Sequence, residues 1–300
     1  MERKYGWLIY NGSLLSPKFM EIHNWYKETA AKKGIILDLI KNTELFSVVE
    51  QSRGAIKCEK RYHQPDFILF LDKDIRLAKQ LEQLGHRLFN RASVIEACDD
   101  KIMTFQTLAN HSIKLPKTIY SPLVFRRTSD EEDSFVDFLE RELSYPIVIK
   151  EAFGSFGEQV YLVHNRKELV EKREDLLLIP HLYQEFIKSS KGKDVRIHVV
   201  GDQVVAAMLR TSETDFRANV TNGGRMHEFK PSQEFEELAV KASSVIGADF
   251  SGVDLLFGED GEPILCEINS NAHIKNIFDC TGIDVTEHIF DYILQKVQHA

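Results

Sequence analysis

The sequence has 300 residues, of which 43% are hydrophobic and 28% charged, a composition typical of a globular protein with a substantial core. The formal net charge of −8 argues against a general nucleic-acid binder. The four cysteines form no CxxC pair, the start lacks the apolar run of a signal peptide, and no stretch approaches the roughly 18 apolar residues of a membrane span. We therefore expect a soluble protein of the reducing cytoplasm that binds neither nucleic acid nor membrane.

The first 95 residues alternate between predicted strands and helices. Apolar runs predict strands over residues 5–10, 35–40 and 66–71, and the helical spacing of apolar residues predicts a helix after the first strand and another after the third. This alternation predicts a small α/β domain over residues 1–95 with a mostly parallel sheet. No GxGxxG follows the first strand, so we expect a scaffold or a substrate wall rather than a dinucleotide site.

A second α/β unit follows a helical region over residues 92–111. The segment SDEEDSFVDFLEREL begins with a capping box of Ser129 and Glu132, which predicts a helix. The elements predicted after it are a strand over residues 146–151, a glycine-bearing loop, a strand over 159–164, a helix from Asn165 and a strand over 182–187. We assign residues 96–187 to a central domain.

The third part of the chain, residues 188–300, is richer in antiparallel hairpins. The elements predicted here are strands over residues 195–200 and 203–210, joined through Gly201-Asp202, and helices over 233–246 and 285–297. A two-residue turn would give the first hairpin one apolar face, formed by Val195, Ile197, Val199, Val204, Ala206 and Met208. Arg210 continues that row, and a charge at the edge of a buried face is either functional or salt-bridged.

The segment SGVDLLFGEDGEPILCEIN predicts a second hairpin, which ends with oxygen-bearing side chains. Glu267 and Asn269 are two positions apart, so they lie on the same face of the strand. If Asp260-Gly261 forms the turn, Asp254 lies opposite Glu267, although a one-residue bulge would break that pairing. Two carboxylates ~5 Å apart repel by about 3 kcal/mol at an effective dielectric constant of ~20. A divalent cation, a Lys or Arg, or protonation would offset this repulsion, and the residues alone leave these alternatives open.

A lysine followed by glycines suggests a phosphate site. Lys150 ends an apolar strand, and Gly154 and Gly157 follow it in the segment IVIKEAFGSFGEQVYLV. Glycines let backbone N–H groups approach an anion closely, and a lysine at a strand end can neutralise phosphates. No GK[ST] follows, so this is not a Walker A loop, and a plain hairpin turn with a solvated lysine fits equally well.

Further polar segments suit the remaining parts of a nucleotide. Residues 184–187 read QEFI at a strand end and can present backbone groups to an adenine edge. Asp194 can reach a ribose hydroxyl, and Arg217 and Asn219 precede a Gly-Gly loop that can fold over a ligand. Each of these segments, taken alone, also fits an ordinary strand end or polar loop.

The order of the motifs is more specific than any one of them. Lys150 with its glycine loop, QEFI, KDVR, Arg210, FRANVTNGG, GVDLL and CEIN follow one another along the chain. This order resembles the ATP-grasp superfamily over residues 90–300, and FRANVTNGG and the later TGIDV resemble its RimK-like ligases, which join an amino acid to a carboxylate. The resemblance implies an α/β (α+β) ATP-grasp fold, in which two α+β subdomains clamp ATP behind a small α/β N-terminal domain.

The resemblance also implies roles for individual residues. Contacts with ATP phosphates, adenine or ribose are implied for Lys101, Lys150, Gly154, Ser155, Gly157, Glu185, Phe186, Ile187 and Asp194. Arg217 and Asn219 would contact phosphate or the activated substrate, and Arg210 would stabilise the oxyanion formed when the amine attacks. Two magnesium ions, for which manganese can substitute, would be held by Asp254, Glu267 and Asn269.

The implied activity is ATP-dependent ligation of a carboxylate to an amine. The carboxylate would attack the γ-phosphorus to give ADP and an acyl phosphate, from which an amino acid or another amine displaces phosphate. The acceptor would be a small molecule, a peptide or a protein C-terminus. Two other hypotheses are a non-catalytic ATP-binding module of the same fold and a ligase that modifies peptide side chains. Relatives commonly form dimers or tetramers, so a homodimer or homotetramer is implied.

The segment after the predicted metal strand departs from RimK. RimK carries a Ser-Pro-Gly-Leu-type loop there, whereas this chain reads NSNAHIKNIFDCTG with His273, Lys275 and Asn276. This segment is closer to the lysine-biosynthesis ligases that act on a carrier protein's C-terminal glutamate, so RimK's amino-acid specificity is not implied. Lys275 either meets a substrate carboxylate or is a surface charge.

Overall fold

The computed structural model describes residues 3–14, 16–126, 134–154, 157–219 and 223–298. Its first sheet is parallel throughout, with strand order β2-β1-β5-β6, which confirms the predicted mostly parallel sheet. The strands are β1 (Lys4–Tyr10), β2 (Ile35–Lys41), β5 (Phe67–Leu71) and β6 (Leu88–Phe89), and the helices are α1 (Pro17–Lys32) and α2 (Ile75–Gln83). A 3₁₀ turn (Asn42–Glu44) follows β2.

A two-stranded hairpin of β3 (Phe46–Glu50) and β4 (Arg53–Lys57) stands beside this sheet and was not predicted. Its turn residues, Gln51 and Ser52, both have positive φ values, 50° and 63°. Such a turn usually carries Asn or Gly, which tolerate positive φ. The sequence therefore lacks the usual local signal for this hairpin.

The second sheet is antiparallel, in the order β7-β10-β8-β9, and two helices pack on it. The elements are β7 (Thr118–Tyr120), α5 (Ser134–Glu142), β8 (Ile147–Glu151), β9 (Val160–Val163), α6 (Arg166–Leu176) and β10 (His181–Glu185). Asn165 caps α6 by accepting a hydrogen bond from the backbone N–H of Glu168. The predicted capping box of Ser129 and Glu132 lies outside the described residues.

The third sheet is antiparallel, in the order β13-β12-β11-β14-β15. Its strands are β11 (Lys193–Val200), β12 (Gln203–Thr211), β13 (Arg225–Glu228), β14 (Phe250–Phe257) and β15 (Pro263–Asn269), preceded by a 3₁₀ turn (Lys188–Ser190). Helices α3 (Ala92–Asp99), α4 (Lys101–Leu108) and α7 (Gln233–Ile246) pack on one apolar face of this sheet. The opposite face is the one that carries the charged residues described below.

The predicted apolar row that ends at Arg210 is wrong. The turn at Gly201-Asp202 forms as expected, with Val200 opposite Gln203, but the register shifts between His198 and Val199. The shift leaves Val205 as an extra residue in β12, so the side chains beyond it exchange faces. Ala206, Met208 and Arg210 therefore share a face with Asp194, whereas Val195, Ile197 and Val199 face α7.

Two helices after the third sheet connect it to the first. The segment NSNAHIKNIFDCTG contains α8 (Ile274–Thr281), a helix that was not predicted, and α9 (Val285–Gln298) follows it. Phe290 of α9 packs edge-on against Tyr26 of α1, with ring centroids 6.2 Å apart, and the Thr286 hydroxyl donates to the Thr29 hydroxyl at 2.9 Å. The first sheet and the third sheet thus share one apolar core, which includes residues of α8 and α9.

The Asn90 side chain links the end of the first sheet to the third sheet. Its amide nitrogen donates to the carbonyl oxygens of Phe250 and Ser270, both at 2.9 Å, and its oxygen accepts from the backbone N–H of Asp249 at 2.7 Å. Asn90 is fully buried.

Within the described ranges, no helix is long and apolar enough to cross a bilayer.

We expect Asn90→Ala to lower the free energy of unfolding by about 3 kcal/mol, because it leaves buried backbone groups without partners. Urea unfolding followed by circular dichroism measures this change. Asn24→Ala, at an exposed position of α1, is the matched control and should change stability by less than about 0.5 kcal/mol. Equal stability of the two variants would contradict the proposed linking role of Asn90.

Candidate active site

The second hairpin brings Asp254 and Glu267 opposite each other, as predicted, but its loop length and strand register differ from those predicted. The loop has three residues, because the Gly258 N–H donates to the Glu262 carbonyl oxygen at 2.7 Å. This loop shifts the register by one residue, and a bulge at Cys266 restores it, so that Leu255 pairs with Leu265 and Asp254 with Glu267. Leu265 and Ile268 consequently both face the core, while Glu267 and Asn269 lie on the charged face.

A row of charges crosses neighbouring strands on this face. Asp194 lies opposite Arg210, and Arg196 lies opposite Asp254. Arg210 donates to both oxygens of Asp194 at 2.6 and 2.8 Å, and it also donates to Asp254 at 2.9 Å. Arg196 donates to both oxygens of Asp254 at 2.7 and 2.6 Å. We call these four residues the charge row; two arginines balance two aspartates in it.

The charge row answers the question of what neutralises Asp254. Burial alone would raise the pKa of Asp254, but the charges of Arg196 and Arg210 outweigh burial and lower its pKa to about 2. Asp254 and Arg210 are each 3% exposed. In this structure arginine, one of the alternatives left open by the sequence, therefore offsets the repulsion between Asp254 and Glu267.

Two cavities meet at the charged face. The larger cleft, of about 430 Å³, is lined by residues of the first sheet, the charged face and α8, whereas the smaller cavity, of about 100 Å³, is lined by the second and third sheets. The residues that line both are Lys101, Gly157, Val160, Arg210, Asn219 and Glu267. A molecule in one cavity can therefore contact the same side chains as a molecule in the other.

The smaller cavity contains most of the residues predicted to bind adenine, ribose and phosphates, whereas Gly154 lines the larger cleft. Lys150, Glu185, Phe186, Ile187 and Asp194 all line it. β10 ends at Glu185, so residues 186–187 follow the strand rather than lie within it. Both carboxylate oxygens of Asp194 accept hydrogen bonds from Arg210. The contact of Asp194 with ribose therefore stays a prediction.

Two buried lysines lie near the point where the cavities meet. Lys101 is 8% exposed and Lys150 is 7% exposed. The Lys101 ammonium lies 3.4 Å from the Gly154 carbonyl oxygen, and the Lys150 ammonium lies 3.8 Å from the Cys266 sulfur. Burial lowers the pKa of Lys101, Glu267 opposes this effect, and Lys150 adds to it. An anion such as a phosphate would satisfy both ammonium groups.

The glycine loop contacts the segment that was predicted to fold over a ligand. Arg217 donates to the Gly157 carbonyl oxygen and is held by Asp215 at 2.7 Å. Asn219 lines both cavities, and Gly157 has a φ of +75°, which favours glycine. Ser155, which was predicted to contact ATP, lies outside the described residues.

Glu267 and Asn269 fit a bound cation better than Asp254 does. No hydrogen bond to the Glu267 carboxylate is found among the described residues, and the buried amide nitrogen of Asn269 lacks a partner among them. Turning that amide by 180° would place its oxygen there, where a cation would satisfy it. Asp254 already accepts three hydrogen bonds, which leaves about one lone pair. The described residues contain no cluster of three His, Cys, Asp or Glu that could hold a metal.

Several residues of the larger cleft were not predicted. These are Arg196, Lys18 and Asp72. His273 and Asn276, at the start of α8, also line the cleft, and they belong to the segment that departs from RimK in the sequence. Burial, with Lys18 and Arg196 nearby, lowers the pKa of His273 to about 4, so the imidazole is neutral at pH 7. Among Arg196, Lys18 and Asp72, only Arg196 lies in a segment with a sequence signal, KDVR, and that signal was assigned to Asp194.

Lys275, one of the open questions of the sequence, does not line the larger cleft. Its ammonium pairs with Glu21 at 3.2 Å and with Asp279 at 3.7 Å. The surface-charge interpretation of Lys275 is therefore the one that the structure supports.

Comparison with known proteins identifies the family. A family model described as the RimK-like ATP-grasp domain matches residues 98–293. The chain belongs to the RimK-like ATP-grasp family. This match confirms the resemblance inferred from the order of the motifs.

Two curated relatives have the same level of sequence identity to this chain. N-acetylaspartylglutamate synthase A of Homo sapiens is 36% identical over 229 residues, which cover 74% of this chain and 56% of that protein. Beta-citrylglutamate synthase B of Danio rerio is 36% identical over 233 residues, which cover 74% of this chain and 54% of that protein. The chain thus spans about half the length of these relatives.

A solved structure of an ATP-grasp ligase has the same fold as this chain over nearly the whole length of both proteins. The ATP-grasp ligase PsnB, complexed with a minimal precursor, Mg and ADP, superposes with a TM-score of 0.69. The match covers 98% of this chain and 97% of that one, at 15% sequence identity. The predicted ATP-grasp fold is therefore confirmed.

We expect Arg210→Met to lower the free energy of unfolding by roughly 3–5 kcal/mol, because it leaves Asp194 and Asp254 buried with too little positive charge. Chemical denaturation measures this loss. Arg225→Met is the control, since Arg225 pairs with Glu213 at an exposed site where side-chain exposures are 74% and 81%, and it should cost less than about 1 kcal/mol. Similar losses in both variants would contradict the buried role of Arg210.

Proposed function

We propose that the chain is an ATP- and magnesium-dependent ligase that joins a carboxylate to an amine through an acyl phosphate. The observation that carries the proposal is the convergence of two cavities on Lys101, Arg210, Asn219 and Glu267. One cavity would hold ATP and the other the two substrates. A phosphoryl group at the junction would be within reach of both, as transfer between them requires.

In the first step, a carboxylate oxygen of the substrate attacks the γ-phosphorus of ATP. The bond from that phosphorus to the bridging oxygen breaks, and ADP leaves with the electron pair. Lys101 and Lys150 neutralise the phosphate charge, while Arg217 and Asn219 contact the phosphate or the activated substrate. Residues 185–187 bind the adenine edge in this proposal.

In the second step, the nitrogen lone pair of the amine attacks the carbonyl carbon of the acyl phosphate. Charge develops on the carbonyl oxygen, the C–O bond then breaks with its electron pair going to phosphate, and the proton that the nitrogen loses as the amide forms passes to the released phosphate. Arg210 is the proposed donor to the oxyanion. Its guanidinium is fixed by Asp194 and Asp254, so it needs little reorganisation during the reaction.

Glu267, Asn269 and the remaining lone pair of Asp254 are the proposed magnesium ligands, with two ions expected and manganese able to substitute. Magnesium, when bound, neutralises phosphate oxygens and orients the γ-phosphoryl group. The PsnB complex with Mg and ADP supports this assignment by fold alone. The number of ions and the use of manganese stay predictions.

We propose a glutamate-like amino acid as the amine. The relatives named N-acetylaspartylglutamate synthase A and beta-citrylglutamate synthase B both carry glutamate in their products' names, and both are 36% identical to this chain. The same names suggest a small polycarboxylate as the partner substrate. A cytoplasmic location and a homodimeric or homotetrameric state also stay predictions.

Two other functions compete with this proposal. A non-catalytic ATP-binding module would keep the smaller cavity but has no use for a larger cleft lined by the same charged residues. A ligase for peptide side chains fits the PsnB likeness, which rests on fold at 15% identity. The higher identity to glutamate-forming synthases favours ligation of an amino acid.

ADP release with defined substrates tests the proposal. We expect ATP hydrolysis to depend on both L-glutamate and a carboxylate such as N-acetylaspartate or citrate, with an amide product seen by mass spectrometry. ATP binding without substrate-dependent ADP release across a panel of amino acids and carboxylates would favour the binding module. Turnover only with a peptide would favour the side-chain ligase.

Glu267→Gln should reduce magnesium-dependent turnover at least about 100-fold, because it removes an oxygen charge from the proposed metal site. Its melting temperature should stay close to that of the parent, since the Glu267 carboxylate makes no hydrogen bond within the described part of the chain. Glu259→Gln, at the exposed tip of the same hairpin, is the matched control and should retain full turnover. Equal rates for the Glu267 variant and the parent would refute the site.

A further inference from the structure

Asp72 is a buried carboxylate in the larger cleft that the proposed mechanism does not use. It follows β5 directly and is 6% exposed. One carboxylate oxygen accepts from the Asn11 amide at 3.0 Å and from the Lys73 backbone N–H at 2.7 Å. The other oxygen, Oδ2, has no hydrogen-bond partner among the described residues.

No cation in the described part of the chain forms an ion pair with Asp72. The Lys73 ammonium, one residue away, pairs with Asp99 instead. Burying an ionised carboxylate without a counter-ion destabilises the folded protein by several kcal/mol. Such a group is either protonated or paired with a cation from a ligand. Burial raises the pKa of Asp72, Asp74 adds to this effect, and the Asn11 and Lys73 hydrogen bonds oppose it. A cationic ligand would remove this cost.

Asp72 lies close to the proposed reaction site. The Asn271 amide donates to the carbonyl oxygen of Leu71, the residue before Asp72, at 3.1 Å. Asn271 is two residues beyond Asn269, a span of at most about 7 Å along an extended chain. A small molecule bound at Asp72 can therefore extend to the charged face.

The cleft also carries groups that favour anions. The first turn of α8 contains no acidic residue, and no side chain caps its N-terminus, so its backbone N–H groups are available. His273, Ile274 and Asn276 of this turn line the cleft, together with Lys18. Lys18 forms no ion pair within the described ranges. One cleft thus offers an unpaired carboxylate and, separately, anion-binding groups.

We propose that Asp72 binds the ammonium group of the amino-acid substrate while Lys18 and the N-terminus of α8 receive a carboxylate of the same molecule. This inference rests on the proposed function, because it assigns the amine substrate of that site. An amino acid carries both charges and matches this arrangement, whereas a plain dicarboxylate would leave Asp72 without a partner. Asp72 is therefore a substrate-binding residue that selects amines.

Calorimetry with L-glutamate and glutarate as probes tests the proposal, since glutarate lacks only the ammonium group. The full chain is titrated in the presence of magnesium and a non-hydrolysable ATP analogue. We expect the parent to prefer L-glutamate, and Asp72→Asn to lower its affinity for L-glutamate by roughly 10- to 100-fold while leaving glutarate unchanged. Asp74→Asn, which keeps its capping position on α2, is the matched control and should behave as the parent.

An unchanged preference for L-glutamate in the Asp72→Asn variant overturns the proposal. If the parent binds neither probe, each common amino acid is compared with its deaminated acid, and the absence of any amine preference also overturns it. Melting temperatures check folding, and Asp72→Ser provides a second neutral variant.

ADP release separates this inference from the proposed function. Ligation by the parent together with an unchanged amine preference in the variant rejects the role of Asp72 alone. Amine binding that depends on Asp72 without any ligation rejects the ligase and retains the binding site.

Discussion

The buried charge row of Arg210, Asp194, Asp254 and Arg196 is the constraint on which the geometry of the candidate active site depends. Two bidentate arginine–aspartate pairs, joined by a further contact at 2.9 Å, hold side chains from three neighbouring strands. Buried ion pairs of this kind often contribute little net stability compared with apolar residues of similar volume. Here the ion pairs hold the Arg210 guanidinium in one position between two cavities and balance its charge.

The same row has a consequence for metal binding. Asp254 accepts hydrogen bonds from Arg196 and Arg210, so a cation that approaches it competes with two guanidinium groups. Glu267 and Asn269 make fewer side-chain hydrogen bonds among the described residues. Magnesium bound with a triphosphate brings its own anionic oxygens, which arginines can also contact. If magnesium binds at the proposed site, Asp254 would therefore have to exchange an arginine contact for the ion.

The sequence predicted most elements and the family, but it failed where strands are irregular. The pairing of Asp254 with Glu267 was right although the turn was misjudged, because the bulge at Cys266 cancels the shift. The three-residue spacing of Leu265 and Ile268, both core residues, was a usable sign of that bulge. No comparable sign marked Val205, so Arg210 was assigned to the wrong face. Asp72 escaped notice because its surroundings are assembled from distant segments, which no local pattern reports.

The packing of α9 across the first sheet affects how the protein folds during synthesis. Residues up to Phe89 complete that parallel sheet, yet Phe290 and Ile293 of α9 cover part of its core. Translation at about 5–20 residues per second separates these events by roughly 10–40 seconds. Throughout that interval the apolar side chains that α9 covers in the finished protein stay exposed, which favours aggregation of the growing chain.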